Sequence, residues 1–109
     1  MNVVALPWLV LVPRRENIRE IIDLEKKDQL QLWDEVAVLS KILRDLVNPH
    51  KLNVAALGNV VPQLHVHVIA RFENDPAWPK PVWGNLPMQP YEPEPLKNMV
   101  DRLLSALNV

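Results

Sequence analysis

Between Asp28 and Pro49 the chain places Leu32, Val36, Leu39, Leu43 and Leu46 at spacings of 4, 3, 4 and 3, which gathers them into one stripe along an α-helix. Asp34, Glu35, Lys41, Arg44 and Asp45 fall on the other faces. Pro49 cannot continue the hydrogen-bond ladder and disfavours helical geometry at Asn48, so the helix is expected to end near Val47. A stripe of this length must be buried against a second element, and "QLHVHVIAR" (63 to 71) supplies one. In a strand, Leu64, Val66, Val68 and Ala70 form an aliphatic face, while Gln63, His65, His67, Ile69 and Arg71 form the other, chemical face. The expected architecture is α+β, a small antiparallel sheet with the 30–47 helix across its aliphatic side.

The remaining segments fit around this pair. "WLVLV" (8 to 12), ended by Pro13, is too short for a helix and reads as a buried strand. It starts so close to the first residue that either a further segment precedes it or the strand lies at a sheet edge. Residues 14 to 29 read as a connection into the helix, "KLNVAALG" (51 to 58) as a strand closed by Gly58, and "NVVP" (59 to 62) as a tight link. Eleven prolines stand against two glycines, and the prolines crowd residues 75 to 95, which should be mostly irregular. "PEPLKNMVDRLLSALN" (93 to 108) has the pattern of a second amphipathic helix. A chain of 109 residues is the size of one domain, here 1–109, with 85–109 as a C-terminal extension ending in that helix.

Twelve basic and thirteen acidic residues give a formal charge of −1, which offers no broad attraction for nucleic acid or an anionic membrane. Any anionic ligand must be held locally. Without cysteine there is neither a disulfide framework nor a thiolate metal site, which suits a cytoplasmic setting. The run at 3 to 12 is ten residues long and broken by Pro7, well short of the ~20 residues that cross a bilayer.

Histidines two apart on a strand sit roughly 7 Å apart at the backbone and project from one surface, so both rings can meet one ligand. Three features make His65 and His67 a candidate site. The aliphatic opposite face gives them firm support. The lead-in "LGNVVPQ" brings the backbone N–H groups of Asn59, Val60 and Val61, with the amides of Asn59 and Gln63, to the same end of the sheet, where uncharged donors can cradle an anion. "AWPKPVWG" then adds Trp78 and Trp83 in a proline-stiffened segment, as core filling or as ligand-stacking groups.

A neutral imidazole can attack phosphorus to give a covalent intermediate that water later cleaves, with no metal or other cofactor required. The competing chemistry is a cupin-like metal site using the two histidines and Glu73, although the spacing departs from that pattern and the jelly roll it needs is not readable here. His50, after Pro49, is expected at the surface.

"PWLVLVPRR", "GNVVPQLHVHVIAR" and "DPAWPKPVWG" together resemble the histidine triad (HIT) family of nucleotide hydrolases and transferases, over about residues 7 to 84. The family signature is His-φ-His-φ-His-φ-φ, with φ apolar, and "QLHVHVI" matches it with Gln63 at the first histidine. The resemblance implies a HIT-like antiparallel sheet with a long central helix and a C-terminal helix, a nucleotide substrate and a homodimer in which Trp33 is a candidate contact. It implies that His65 is the nucleophile, that His67 and Asn59 contact the phosphate or ribose side, and that Gln63 hydrogen-bonds without shuttling a proton. Glu16 or Asn17 stands where many members carry a further histidine. A strand-and-helix segment that members carry ahead of the apolar strand is expected to be missing here. The reading that follows is hydrolysis or transfer of nucleoside phosphates, phosphoramidates or dinucleoside polyphosphates, with a non-catalytic nucleotide-binding module as the alternative.

Overall fold

The computed structural model describes residues 6–85 and 93–106. Three strands, β1 (Trp8–Leu11), β2 (Lys51–Ala56) and β3 (Val66–Arg71), form an antiparallel sheet in the order β1-β3-β2. The long helix α1 (Lys26–Val47) follows a single 3-10 turn at Ile21–Asp23, and a C-terminal helix α2 covers Pro93–Ala106. Among the described residues no helix is long and apolar enough to cross a membrane.

Helix α1 ends at Val47, ahead of Pro49. Asn48 adopts the left-handed conformation (φ 47°) and donates its backbone N–H to the Arg44 carbonyl, which closes the last turn. Its stripe meets the sheet as expected: Leu32, Val36 and Leu43 are buried with Leu64, Val66 and Val68. Residues 14–24 strap the edge of this layer, where Leu24 joins the cluster, Ile18 and Ile21 pack against it, and the Leu64 N–H donates to the Ile18 carbonyl.

Two expectations change. The paired part of the central strand begins at Val66 rather than Gln63, because its partners run out there: Leu11 of β1 and Ala56 of β2 both pair with Val66. His65 thus stands just before the ladder. The chemical face is also no open surface, since every residue of β3 is buried. On that side Trp8 and Ile69 form a second core with Ala77 and Val82, under the irregular 75–85 segment. β3 is thus covered on both sides: Val66 and Val68 pack with α1, and Ile69, between the buried polar His67 and Arg71, packs under the 75–85 segment. Of the stretch expected to be irregular, 75–85 has no helix or strand, 86–92 lies outside the described residues, and from Pro93 the chain is helical.

Candidate active site

β1 and β3 pair so that Trp8 lies opposite Ile69 and Val10 opposite His67. The side chains of Trp8 and Val10 therefore share the His67 side of the sheet. At the end of the sheet where β3 begins, His65 and His67 border a cavity of about 620 Å³, walled by Trp8 and Trp83 and by the loop that leaves β2. Gly58, at φ +153°, turns the chain there in a conformation that side-chain-bearing residues rarely adopt. Asn59, Val60 and Val61 follow it along the cavity wall. Their backbone N–H groups donate to no acceptor among the described residues. A smaller cavity of about 360 Å³ opens on Val10, Val12 and Gln63 and shares both histidines.

The two imidazoles sit with ring centroids 5.1 Å apart and planes at 73°, and their partners give them opposite tautomers. His65 Nδ1 lies 2.7 Å from the Gln63 carbonyl oxygen, which can only accept, so Nδ1 carries the hydrogen and Nε2 the lone pair. His67 Nδ1 lies 2.8 Å from the Trp8 indole nitrogen, which can only donate, so Nδ1 carries the lone pair and Nε2 the hydrogen. The result is one potential nucleophile beside one neutral donor. Burial pushes the His67 imidazole below its ordinary 6.5, and charge on His65 pushes the same way. Trp83 closes the array, edge-on to both His67 and Trp8 at 5.2 and 5.6 Å.

Gln63 contributes mainly through its main chain. Its side-chain Nε2 donates to the Arg15 carbonyl at 3.0 Å, bracing the segment after β1. Further along the same face, Arg71 is fully buried and pairs with Asp75 through Nε–H at 2.9 Å and one Nη at 3.1 Å. It also donates to the Asn53 side chain and the Lys80 carbonyl. Burial alone would raise the Asp75 carboxyl, but the Arg71 guanidinium and the N–H groups of Phe72, Ala77 and Trp78 outweigh it and bring the group down to about 2. This pair folds the 75–85 segment over β3 and so places Trp83.

The residues singled out in the sequence divide cleanly. His65, His67, Asn59, Val60 and Val61 come together at the larger cavity, whereas Gln63 borders only the smaller one. Trp83 serves both the core and the cavity. Trp78 instead lies under Arg71, 5.5 Å from its guanidinium carbon, and edge-on to His50. His50 is half exposed and meets Glu73 at 3.3 Å, at the opposite end of β3 from His65. Among the described residues no group of three or more His, Asp or Glu could hold a metal ion. Glu16 and Asn17 border neither cavity. Trp8 was missed as a site residue, since only the β1–β3 register shows that it shares the His67 side.

The family model of the HIT domain matches residues 2–74. Three solved histidine triad proteins superpose closely. The one from Bradyrhizobium japonicum is 44% identical, covers 97% of this chain and 79% of its own, and gives a TM-score of 0.94. The one from Sinorhizobium meliloti is 42% identical, with coverage of 97% and 78% and a TM-score of 0.93. The one from Marinobacter aquaeolei is 46% identical, with coverage of 99% and 79% and a TM-score of 0.95. No protein with a curated functional description matches. With a match over most of its length, the same sheet-and-helix fold as these relatives and a two-histidine signature at its cleft, the chain belongs to the histidine triad family, whose members are mostly nucleotide hydrolases or transferases.

Proposed function

We propose that the protein hydrolyses or transfers a nucleoside phosphate group through a covalent intermediate on His65. The observation that carries this reading is the opposed pair of tautomers. The His65 Nε2 lone pair attacks phosphorus, and the positive charge that develops on the ring is met at Nδ1–H by the Gln63 carbonyl. His67 Nε2–H and the N–H groups of Asn59, Val60 and Val61 then serve a phosphoryl oxygen as neutral donors. Gln63 holds the nucleophile's tautomer through its carbonyl and the neighbouring segment through its amide. The same reading includes a homodimer, supported by the outward-facing Leu30, Trp33 and Val38 of α1 and by the outer edge of β2.

A His65→Ala variant should lose on the order of a thousandfold in kcat while still binding nucleotide. Mass spectrometry of alkali-quenched wild type should find the phosphoryl or nucleotidyl group on His65. Full activity in the variant sinks the reading. The second reading, a nucleotide-binding module without turnover, is favoured by Gln63, whose amide is tied to a carbonyl and cannot relay a proton. Calorimetric binding of nucleotides with no product would support it.

A further inference from the structure

We propose that Asp28, on α1 and outside the cleft, is a positioning residue for His65: through Arg15 and Gln63 it holds in place the carbonyl that keeps the His65 hydrogen on Nδ1. The proposal rests on the covalent reading of His65 and adds to it two residues, Asp28 and Arg15, that border neither cavity beside the histidines.

His65 stands ahead of the paired part of β3, which starts at Val66, so the ladder itself does not hold Gln63 or Leu64. Segment 14–24 does. The Leu64 N–H donates to the Ile18 carbonyl at 2.7 Å, and the Gln63 side chain donates from Nε2 to the Arg15 carbonyl at 3.0 Å. Gln63 in turn accepts the His65 Nδ1–H at its own main-chain carbonyl, 2.7 Å away. The His65 tautomer is therefore only as well defined as the place of the Arg15 main chain.

That place is set from α1. Arg15 offers Nε and one Nη in parallel to the two carboxylate oxygens of Asp28, at 2.9 and 3.0 Å, a two-pronged contact that fixes direction as well as distance. Asp28 stands in the first turn of a 22-residue helix whose stripe is anchored in the core, so it is the fixed end of the series. Packing does little at this point, since cavities of about 320 and 380 Å³ both border Arg15 and Asp28. With the Arg15 side chain half exposed, the ion pair adds little to stability, and its effect is on geometry. Three contacts thus run from Asp28 to Arg15, from Arg15 to Gln63 and from Gln63 to His65. If the series slackens, the Gln63 carbonyl leaves Nδ1, the hydrogen can settle on Nε2, and the lone pair that attacks phosphorus is lost.

The test measures kcat and KM with the adenosine phosphoramidate of benzylamine and with diadenosine tetraphosphate, and the ¹⁵N shifts of the His65 ring, in wild type, Asp28→Asn, Gln63→Ala and the double variant. Asp28→Asn should lower kcat about fivefold with KM within about twofold, since the lost contact orients and does not bind. Gln63→Ala keeps the main-chain carbonyl and drops its tether; it should lower kcat about tenfold, and the double variant no further, because both act through one path. The Nδ1–H share of the His65 ring should fall in the same order. Asp28→Glu keeps a carboxylate before Arg15 and should retain most of the wild-type kcat, while Asp45→Asn, which removes the partner of Lys41 further along the same helix, should leave kcat unchanged. An unchanged kcat in Asp28→Asn, a loss that multiplies with that of Gln63→Ala, or an equal loss in Asp45→Asn overturns the proposal and leaves the covalent reading standing. If wild type cleaves neither compound, the covalent reading fails, and the ring shifts decide by themselves. A His65 ring that moves toward the Nε2–H form in Asp28→Asn then supports the proposal, and an unmoved one overturns it.

Discussion

Trp8 holds His67 through one hydrogen atom. Because an indole only donates, the bond exists only while His67 Nδ1 is unprotonated, so the interaction opposes charging of the ring, as burial does. Trp8→Phe keeps an aromatic ring in the same core and removes only that donor. His67 in the variant should titrate closer to 6.5, visible in the ¹⁵N shifts of its ring, with about a tenfold loss in kcat/KM. An unmoved titration would show that the indole does not set the tautomer. The sign for stability follows from the same shift. The unfolded chain binds the His67 proton below 6.5 and the folded chain resists it, so this contribution is present above 6.5 and lost as pH falls through the lower folded value.

The 75–85 segment has no ladder or helix of its own, and its hold on the sheet depends heavily on the Arg71–Asp75 pair and its attendant bonds. Asp75→Asn leaves a fully buried guanidinium without its counter-charge and should cost about 3–5 kcal/mol in denaturant unfolding. Asp75 lies at about 2 when folded, against 3.8 ordinarily, so its stabilisation is intact above 3.8 and lost as pH falls toward 2. The loss is about 2 kcal/mol and should disappear from the pH dependence of the variant. The proline content announced that 75–85 would be irregular, but the contacts that order it join residues far apart in the chain, and spacing does not encode those. Helix α1 was legible because its period is local, and its end was written at Pro49. The histidine pair was legible for the same reason. Trp8 was not, because a strand's facing is fixed only by its register with a partner.

Across the whole molecule, β3 is flanked by both other strands and covered on both sides, by α1 and by the 75–85 segment, so its backbone should be the last to open. Hydrogen exchange should find the slowest amides within Val66–Arg71, at rates set by global unfolding. The His65 amide, which donates to no acceptor among the described residues, should exchange far sooner. Comparable protection at both places would contradict this arrangement. The boundary between them falls one residue after His65. Under the proposed covalent chemistry, the reacting ring has to swing by fractions of an ångström while its neighbours hold still. Placing that ring on the first unpaired residue beyond the most persistent backbone provides both, a mooring that does not slacken and a side chain whose small movements break no rung of the sheet.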